Sequence, residues 1–325
     1  MLLEIRHLTR YRYAETVRES VMELWMQPQK TGRQRLISFD LDLEPAVQLF
    51  SYADLYGNAV YHFDVPQPHN LLTIKARAAV ETSPLAVSTD PLDLGEWERL
   101  KSEFVRGDCF DFLRPHSFVT ETDRLKQFEA ELGIPELRRQ DPWTAVQELS
   151  AKLYAALAYV PGSTEADSPI DLAIEHRKGV CQDFAHIMIA ICRAWGVPAR
   201  YVSGYLYTDR KEDRSSPDAT HAWVEVFLPS LRWVGIDPTN NILAGERHVA
   251  VAIGRDYADV PPSRGVYKGE SESELDVAVS VTRPKTATVD PEFMPVTRPP
   301  VAANARRRLA EETFREHQQQ QQQQQ

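Results

Sequence analysis

Residues 179–195 read Gly-Val-Cys-Gln-Asp-Phe-Ala-His-Ile-Met-Ile-Ala-Ile-Cys-Arg-Ala-Trp, an apolar stretch with a thiol close to its start. At about 100° per residue, several apolar side chains fall within about 60° of Cys181 on a helical wheel. These side chains are Phe184, Ala185, Met188, Cys192 and Trp195. The opposite side carries the polar residues Gln182, Asp183, His186 and Arg193. The pattern predicts an amphipathic helix whose first turn carries Cys181 on the buried face.

Cys181 stands at the start of this predicted helix, where a thiolate is favoured over a thiol. A helix N-terminus carries roughly half a positive charge and N–H groups without partners in the helix. Lys178 and Arg177 add positive charge just upstream, and Gly179 permits a tight approach into the helix. Two interpretations stay open at this point: an activated sulfur nucleophile, or the small buried hydrophobe that most cysteines are.

Composition and charge exclude several classes of protein. The chain of 325 residues is long enough for two domains, and 42% hydrophobic with 26% charged residues indicates a globular protein. A formal net charge of -10 argues against a general nucleic-acid or membrane-surface role. The N-terminal residues do not have the pattern of a signal peptide, and no apolar stretch reaches about 18 residues, so no membrane span is predicted.

The three cysteines, Cys109, Cys181 and Cys192, are not expected to form a disulfide framework. Cys181 and Cys192 lie eleven residues apart on one predicted helix, too far apart to bridge. This cysteine usage fits a reducing cytoplasm best. Cys192 points along the core face of the helix and is predicted to be inert. No metal-binding spacing such as C-x-x-C or H-E-x-x-H occurs, so no metal or other cofactor is predicted.

Four segments differ in their sequence patterns. Residues 1–82 alternate as short strands, with one Gly-Asn hairpin turn, and predict a small antiparallel β-sandwich. Residues 83–142 are a mixed connector with short helices between X-Pro steps. Residues 143–282 are predicted to form a core with a C-terminal extension. Residues 283–325 are interpreted as a loose Pro-rich segment, a charged helix and a poly-Gln tail.

The core segment begins with a helix predicted over Trp143–Leu157, for which Asp141 is the expected N-cap. The helix of Cys181 is predicted to end at Gly196-Val197-Pro198, a common stop signal. A strand is predicted next, over Ala199–Tyr207.

The stretch from His221 to Asp237 is a predicted β-hairpin that brings an imidazole and a carboxylate together. If the turn consists of Leu228-Pro229-Ser230, His221 lies directly opposite Asp237, with Cβ atoms about 4.5–5.5 Å apart. The core-facing side of the hairpin then carries Ala222, Val224, Val226, Val234 and Ile236. The other side carries His221, Trp223, Trp233 and Asp237. A two-residue turn would separate the faces of His221 and Asp237, so their juxtaposition depends on this register.

Cys181, His221 and Asp237 have the residue types that acyl transfer by a thiol requires. The thiol needs a base that takes its proton and later protonates a leaving amine, and the base needs a carboxylate that holds its tautomer. The chain order Cys, His, Asp is the one that papain-like enzymes use. The backbone N–H of Cys181 is expected to be one donor to the oxyanion.

Four motifs of the core segment resemble the bacterial transglutaminase-like superfamily. They are Gly179-Val180-Cys181-Gln182-Asp183-Phe184-Ala185-His186, the stretch Gly196 to Tyr205, His221-Ala222-Trp223-Val224-Glu225-Val226, and Trp233-Val234-Gly235-Ile236-Asp237-Pro238-Thr239-Asn240. Residues 1–82 resemble the β-rich N-terminal domain that often precedes this core in bacteria, a likeness carried by Asp54, Gly57 and Asn58. The resemblance covers roughly residues 1–82 and 143–270.

This resemblance implies an α+β fold: a papain-like transglutaminase core, with the Cys-bearing helix packed on an antiparallel sheet, preceded by a small antiparallel β-sandwich domain. It implies a Cys-His-Asp triad, which Cys181, His221 and Asp237 match. The family includes transglutaminases, predicted cysteine proteases and amidases, and members that have lost the triad. No match to the calcium-binding segments of animal transglutaminases is present, so calcium control is not implied. Members often occur beside genes for ATP-grasp ligase-like proteins, which implies an ATP-grasp-type partner protein.

Other residues of these motifs carry weaker predictions. Gln182 and Trp223 are expected to line the cleft, although Trp223 is also a candidate packing residue. His186, as an alternative base, lies about 140° around the helix from Cys181, which favours a structural or solvent-side histidine. Asp183 and His186 lack the further ligands that a metal ion requires.

The leading functional hypothesis is an acyl-transfer enzyme in which Cys181 attacks an amide or peptide carbonyl and forms a thioester. Water as the acceptor makes it a cysteine protease or amidase, and an amine as the acceptor makes it a transglutaminase. The predicted bacterial cytoplasmic setting favours hydrolysis. The alternative from another class is a non-catalytic binding or scaffold module. A missing triad residue would favour that alternative, and none is missing. The expected substrate is a peptide or protein amide, without nucleic acid, membrane or cofactor.

Overall fold

The computed structural model describes residues 1–209, 213–216 and 219–284, all within one compact unit. Apart from residues 283 and 284, the Pro-rich segment, charged helix and poly-Gln tail predicted for 283–325 lie outside the described residues. Helices and antiparallel sheets both contribute, so the predicted α+β class is confirmed. No helix of the described ranges has the length and hydropathy that crossing a bilayer requires.

Six strands make up most of the first 82 residues, as the alternating pattern predicts. They are β1 (Leu2–Val17), β2 (Glu19–Leu24), β3 (Gln34–Glu44), β4 (Phe50–Ala53), β5 (Ala59–Val65) and β6 (His69–Thr82). The predicted Gly-Asn turn joins β4 to β5, with Gly57 at a φ of 79° that side-chain-bearing residues rarely adopt. The strands belong to two sheets, and an apolar layer of side chains from both fills the sandwich. This layer consists of Met22, Leu24, Met26, Leu41, Phe63, Val65, Leu72, Ile74 and Ala76.

Between residues 83 and 262, six α-helices and seven strands follow within the described residues. They are α1 (Glu96–Arg99), α2 (Glu103–Asp108), α3 (Asp123–Glu131), α4 (Pro142–Ala156), β7 (Ala158–Tyr159), α5 (Ile170–His176), β8 (Lys178–Gly179), α6 (Cys181–Ala194), β9 (Ala199–Leu206), β10 (His221–Leu228), β11 (Arg232–Asp237), β12 (Ile242–Leu243) and β13 (His248–Gly254). The predicted cap of α4 is confirmed, because Asp141 Oδ1 accepts hydrogen bonds from the backbone N–H groups of Trp143 and Thr144.

Helix α6 lies at the centre of the core, against an antiparallel sheet of order β12-β11-β10-β9-β13. The predicted stop signal is confirmed: Gly196 adopts a φ of 81° and the N–H of Val197 bonds the carbonyl of Cys192. The predicted amphipathicity is wrong in one respect, because the polar side of α6 is buried as well. Its polar side chains are only 1–9% exposed: Gln182, Asp183, His186 and Arg193. Other parts of the chain cover this side, as when the Phe118 ring stacks on His186.

Two strands from the end of the predicted core segment complete the N-terminal sandwich. They are β14 (Ser263–Lys268) and β15 (Ser273–Thr282). The two sheets of the sandwich have the orders β15-β1-β6-β3 and β14-β2-β5-β4. The division of the chain at residues 82, 142 and 282 stays a prediction. Strand β15 nevertheless pairs with the open edge of β1, and β14 pairs with the open edge of β2. Residues 263–282 therefore belong to the same sheets as residues 1–82.

The β4–β5 hairpin is anchored to strand β13 by one buried amide. The side chain of Asn58 accepts a hydrogen bond from the N–H of Ile253 and donates one to the carbonyl of the same residue, both at 2.8 Å. Asn58 therefore pairs with β13 as a strand neighbour would. This contact fixes the sandwich against the strand that also carries His248.

The β10–β11 hairpin has the predicted faces but a different register. The turn consists of residues 229–231 instead of 228–230, and Val224 pairs with Ile236 where Val234 was predicted. Because both turns contain three residues, the two faces of the hairpin are unchanged. The prediction that His221 lies directly opposite Asp237 is therefore wrong, but the two side chains still share one face.

Candidate active site

The start of α6 is held by Asp183, which lies in its first turn. Asp183 Oδ2 accepts hydrogen bonds from the backbone N–H of Val180 at 2.7 Å and from the hydroxyl of Thr164 at 2.6 Å. A Cβ atom added at Gly179 would lie 2.7 Å from the same carboxylate oxygen. The predicted need for glycine at this approach therefore has a direct steric cause. The consequence is a fixed position for Cys181, the first residue of the helix.

Cys181 is half-buried and borders a cavity of about 390 Å³. His221 and Gln182 line the same cavity. The expectation that Gln182 lines the cleft agrees with this position, and its side-chain amide donates to the carbonyl of Ala166 at 2.7 Å. As the first helical residue, Cys181 has a backbone N–H without a partner inside the helix.

His221 is buried and is oriented by Asp237. Its Nε2 lies 2.7 Å from Asp237 Oδ2, while its Nδ1 is buried without a hydrogen-bond partner among the described residues. Burial alone would lower the pKa of His221. The Asp237 carboxylate and Cys181 outweigh burial and raise this pKa to about 10. The imidazole therefore favours its protonated form, with Nδ1 left for a proton exchanged inside the cavity.

Asp237 is fully buried and accepts hydrogen bonds at both carboxylate oxygens. Oδ1 accepts from the backbone N–H groups of Thr239 and Asn240, at 3.0 and 3.2 Å. Oδ2 accepts from Asn240 Nδ2 at 2.7 Å and from His248 Nε2 at 3.2 Å, in addition to His221. Burial raises the pKa of Asp237, and His221 together with these donors lowers it well below its usual range.

His248 and Asn240 are site residues that the sequence reasoning missed. Asn240 had a local signal, because an Asp followed by a turn often binds the N–H groups two and three residues on. His248 had none, since β13 reaches the site only by pairing with β9. Burial lowers the pKa of His248, so this imidazole favours its neutral form.

Metal binding was considered for two groups of residues. His221, Asp237 and His248 present ligand atoms within 4.8 Å of one another, and their types suit zinc. Both Nε2 atoms are hydrogen-bonded to Asp237 Oδ2, and these bonds account for the clustering without a metal ion. At the other candidate pair, His186 accepts a hydrogen bond from the backbone of Tyr257, whereas Asp183 holds the start of α6.

His186 is a buried structural residue, as its place on the helical wheel favoured, and Trp223 does not line the cavity beside Cys181. Burial lowers the pKa of His186 to about 3, so it remains a neutral packing residue between Phe118 and Tyr201. Trp223 was expected to line the cleft, but it is absent from the lining of the cavity beside Cys181 and lines a smaller cavity of about 70 Å³. Its ring extends over Gly204, where an added Cβ would lie 2.7 Å from the indole. The missing side chain at Gly204 therefore leaves the space that the ring occupies.

Comparisons with known families and proteins match both halves of this architecture. Residues 3–81 match the bacterial transglutaminase-like N-terminal region, and residues 136–238 match the transglutaminase-like superfamily. An uncharacterized protein of Mycobacterium tuberculosis is 35% identical over 289 residues, covering 85% of this chain and 91% of the relative.

Two further proteins are similar over different lengths. The structure of a "putative cysteine protease" from Cytophaga hutchinsonii superposes with a TM-score of 0.67 at 21% identity, covering 88% of this chain and 92% of that one. A protein-glutamine gamma-glutamyltransferase of Pseudomonas aeruginosa is 36% identical over 120 residues, which is 34% of this chain and 18% of the relative. The whole-chain superposition confirms the predicted fold, and the family matches confirm the resemblance drawn from the motifs.

Proposed function

The chain belongs to the transglutaminase-like superfamily, and from that premise we propose that it transfers an acyl group from an amide or peptide through a thioester on Cys181. One observation carries the proposal. A buried imidazole, held at Nε2 by Asp237 and unpartnered at Nδ1 among the described residues, shares a cavity with a thiol at a helix start. Those are the parts of an activated sulfur nucleophile.

The proposed reaction has two steps. In the resting site the proton of the thiol already lies on His221 Nδ1, as a pair of thiolate and imidazolium, and the sulfur attacks the amide carbonyl while the N–H of Cys181 donates to the oxyanion. The C–N bond then breaks, the imidazolium gives its proton to the leaving amine, and a thioester remains. In the second step His221 takes a proton from the acceptor, which attacks the thioester carbonyl. The C–S bond breaks, the acyl group leaves bonded to the acceptor, and the pair of Cys181 thiolate and His221 imidazolium is restored.

Water is the proposed acceptor, which makes the enzyme a cysteine protease or amidase. None of the described residues that line the cavity is an Asp or Glu, so no carboxylate among them attracts the ammonium group of an amine acceptor. The second candidate is transamidation. It is supported by the similarity of one segment to the Pseudomonas aeruginosa enzyme, whose name describes that activity. The peptide or protein amide substrate, an ATP-grasp-type partner and a cytoplasmic location stay predictions.

The first test is the pH dependence of alkylation of Cys181 by iodoacetamide, followed by peptide mapping. We expect a rate that saturates by about pH 6–7, as for a cysteine thiolate stabilised by an imidazolium and a helix start. A rate that rises only near pH ~8.5, where an ordinary thiol ionises, would contradict the proposal and favour the binding module. The acceptor is then identified by comparing product release in water with incorporation of a fluorescent primary amine.

A further inference from the structure

The cavity beside Cys181 is bounded on one side by the N-terminal sandwich. Strand β1 contributes His7 and Thr9 to its lining, and strand β15 contributes Leu275 and Val277. Thr9 pairs with Val277 across the two strands, so these residues form one continuous piece of sheet opposite the helix start. The sandwich is therefore part of the site and not an appendage to it.

Leu275 and Val277 occupy an unusual position for apolar side chains. Residues two apart on a strand share a face, and Val279 on the same face is only 4% exposed. Leu275 and Val277 are nevertheless 55% and 45% exposed, and both border the cavity. An apolar group placed in the cavity would remove this surface from water, which favours its binding.

The polar groups on this side of the cavity are already paired with each other. His7 Nδ1 bonds the hydroxyl of Tyr205 at 2.9 Å, and Thr9 Oγ1 bonds His7 Nε2 at 3.1 Å. Burial lowers the pKa of His7 to about 4, so its imidazole is neutral at physiological pH. Ser263 Oγ in turn bonds the hydroxyl of Tyr11 at 2.7 Å. These groups add little polarity to the cavity wall, because their hydrogen-bonding capacity is used internally.

Apart from His221, whose imidazole favours its protonated form, the described part of the lining carries no charged side chain. Among its twenty described residues none is Asp, Glu, Lys or Arg, although 26% of the chain is charged. A basic group that entered would lose part of its hydration without gaining a carboxylate partner among these residues. The volume of about 390 Å³ lies within the range of ligand sites, about 300–1,000 Å³.

We propose that Leu275 and Val277 of β15 form a specificity pocket that takes an uncharged, apolar side chain of the acyl donor, beside the carbonyl that Cys181 attacks. This inference rests on the proposed function, and it assigns the sandwich a role in substrate selection. The overall charge of -10 would by itself attract a basic substrate. A preference for an apolar over a basic side chain therefore has to come from the pocket.

The test uses blocked dipeptidyl acyloxymethyl ketones, which alkylate a reactive cysteine without requiring a known substrate. Leu, Lys or Asp is placed at the first or at the second residue on the acyl side, and labelling of Cys181 is followed by intact mass. For the wild-type protein we expect the Leu probe to react at least tenfold faster than the Lys and Asp probes at one of the two positions. Equal rates at both positions would overturn the inference.

Leu275→Glu is the informative variant, since the side chain is exposed enough to accept a charge. We expect its Leu-to-Lys rate ratio to fall at least tenfold, and the ratio of Val277→Thr, which changes polarity at constant size, to fall less. The matched control is Val266→Glu, on the other edge strand β14 and 70% exposed, which lies outside the pocket and leaves the ratio unchanged. A Leu275→Glu ratio within twofold of wild type would overturn the inference.

Iodoacetamide separates failure of this inference from failure of the proposed function. It is too small to use the pocket, so its rate with Cys181 stays at the wild-type value in Leu275→Glu if the fold is intact. Failure of the inference alone shows as rapid iodoacetamide labelling with no discrimination among the ketones. Failure of the proposed function shows as slow iodoacetamide labelling in the wild-type protein, and it also overturns the inference that rests on it.

Discussion

The two ends of α6 carry the same side chain in opposite surroundings. Cys181, in the first turn, is half-buried beside a cavity and an imidazole, whereas Cys192, in the last turn, is completely buried. Burial raises the pKa of Cys192 to about 12. The difference shows that the environment at each end of the helix, and not the residue type, makes one thiol a candidate nucleophile and the other a packing atom.

The polar residues at the two ends of α6 also differ in what they hold in place. Asp183 at the start fixes the approach of the chain to Cys181, and its carboxylate suits the positive end of the helix dipole. Arg193 at the other end donates hydrogen bonds to the carbonyls of Arg114, Ala199 and Arg255. One end therefore organises a reactive group, and the other ties three segments of the core together.

The largest expected effect is the loss of activity on replacing Cys181, at the start of α6. Cys181→Ala removes the proposed nucleophile, and we expect turnover to fall by about 10³-fold or more. Cys192→Ala should retain at least half of the wild-type rate, because its thiol lies outside the cavity. The measurement is hydrolysis of a fluorogenic peptide amide that the ketone probes identify. Equal losses in both variants would mean that the thiols act only through packing.

His221→Asn tests whether the imidazole creates the difference between the two thiols. Without the base we expect the rate constant for turnover to fall about 10²–10⁴-fold. We also expect the pH dependence of alkylation at Cys181 to move towards that of an ordinary thiol, near pH ~8.5. Mass spectrometry after timed alkylation provides both curves in one experiment. An unchanged pH profile would remove His221 from the proposed mechanism.

Below about pH 8.5, where a free thiol stays protonated, the His221–Asp237 pair should give the free energy of unfolding a pH dependence that Cys192 does not share. The pKa of His221 is raised to about 10, so its contribution to stability is complete below about pH 6.5 and is lost as the pH rises through about 10. The pKa of Asp237 is lowered, so its contribution is complete above about pH 4 and is lost as the pH falls.

From these signs we expect the pair to stabilise the fold most between about pH 4 and 6.5. Urea unfolding should show the free energy of unfolding decreasing above that window, by on the order of a few kcal/mol at pH 10. In Asp237→Asn this decrease should disappear, because burial then opposes the protonated imidazole. Cys192→Ala is the control and should retain the wild-type slope up to about pH 8.5, above which ionisation of the unfolded thiol adds a loss at Cys192. A wild-type curve that is flat from pH 6 to 10 would contradict the assignment.

The smallest expected effects are changes in the free energy of unfolding when either cysteine of α6 is replaced. Cys192→Ala leaves a small cavity, which costs about 1 kcal/mol, and Cys192→Ser buries a hydroxyl without a preformed partner, which costs about 1–3 kcal/mol. Cys181→Ser, at a half-exposed position, should change the free energy of unfolding by less than about 0.5 kcal/mol. Urea unfolding at pH 6 measures all three. A larger loss at Cys181 than at Cys192 would reverse the proposed division of roles.

The local elements were predictable from the sequence because their signals are local. The cap at Asp141, the stop at Gly196 and the faces of the β10–β11 hairpin depend on residues a few positions apart. The pairing of His221 with Asp237 was less secure, since moving the three-residue turn by one position moves every partner by two. The faces were correct only because the number of turn residues was correct.

The features that escaped prediction depend on distant parts of the chain. The polar side of α6 is buried because Phe118 and Ala166, outside the helix, cover it. His248 meets Asp237 only after β13 has paired with β9. The return of β15 to β1 joins positions such as Thr9 and Val277, and no pattern within either strand specifies its partner.

The pairing of β1 with β15 also governs when the site is completed during synthesis. A nascent chain emerges from its N-terminus, so β1 can pair with β6 long before β15 leaves the ribosome. Until then the outer edge of β1 is open to other strands, a known route to aggregation, and Leu275 and Val277 have not yet reached the cavity. Cys181 and His221 are thus translated before the wall that selects their substrate, and a ribosome-bound chain that stops short of β15 would carry the proposed nucleophile without its selectivity.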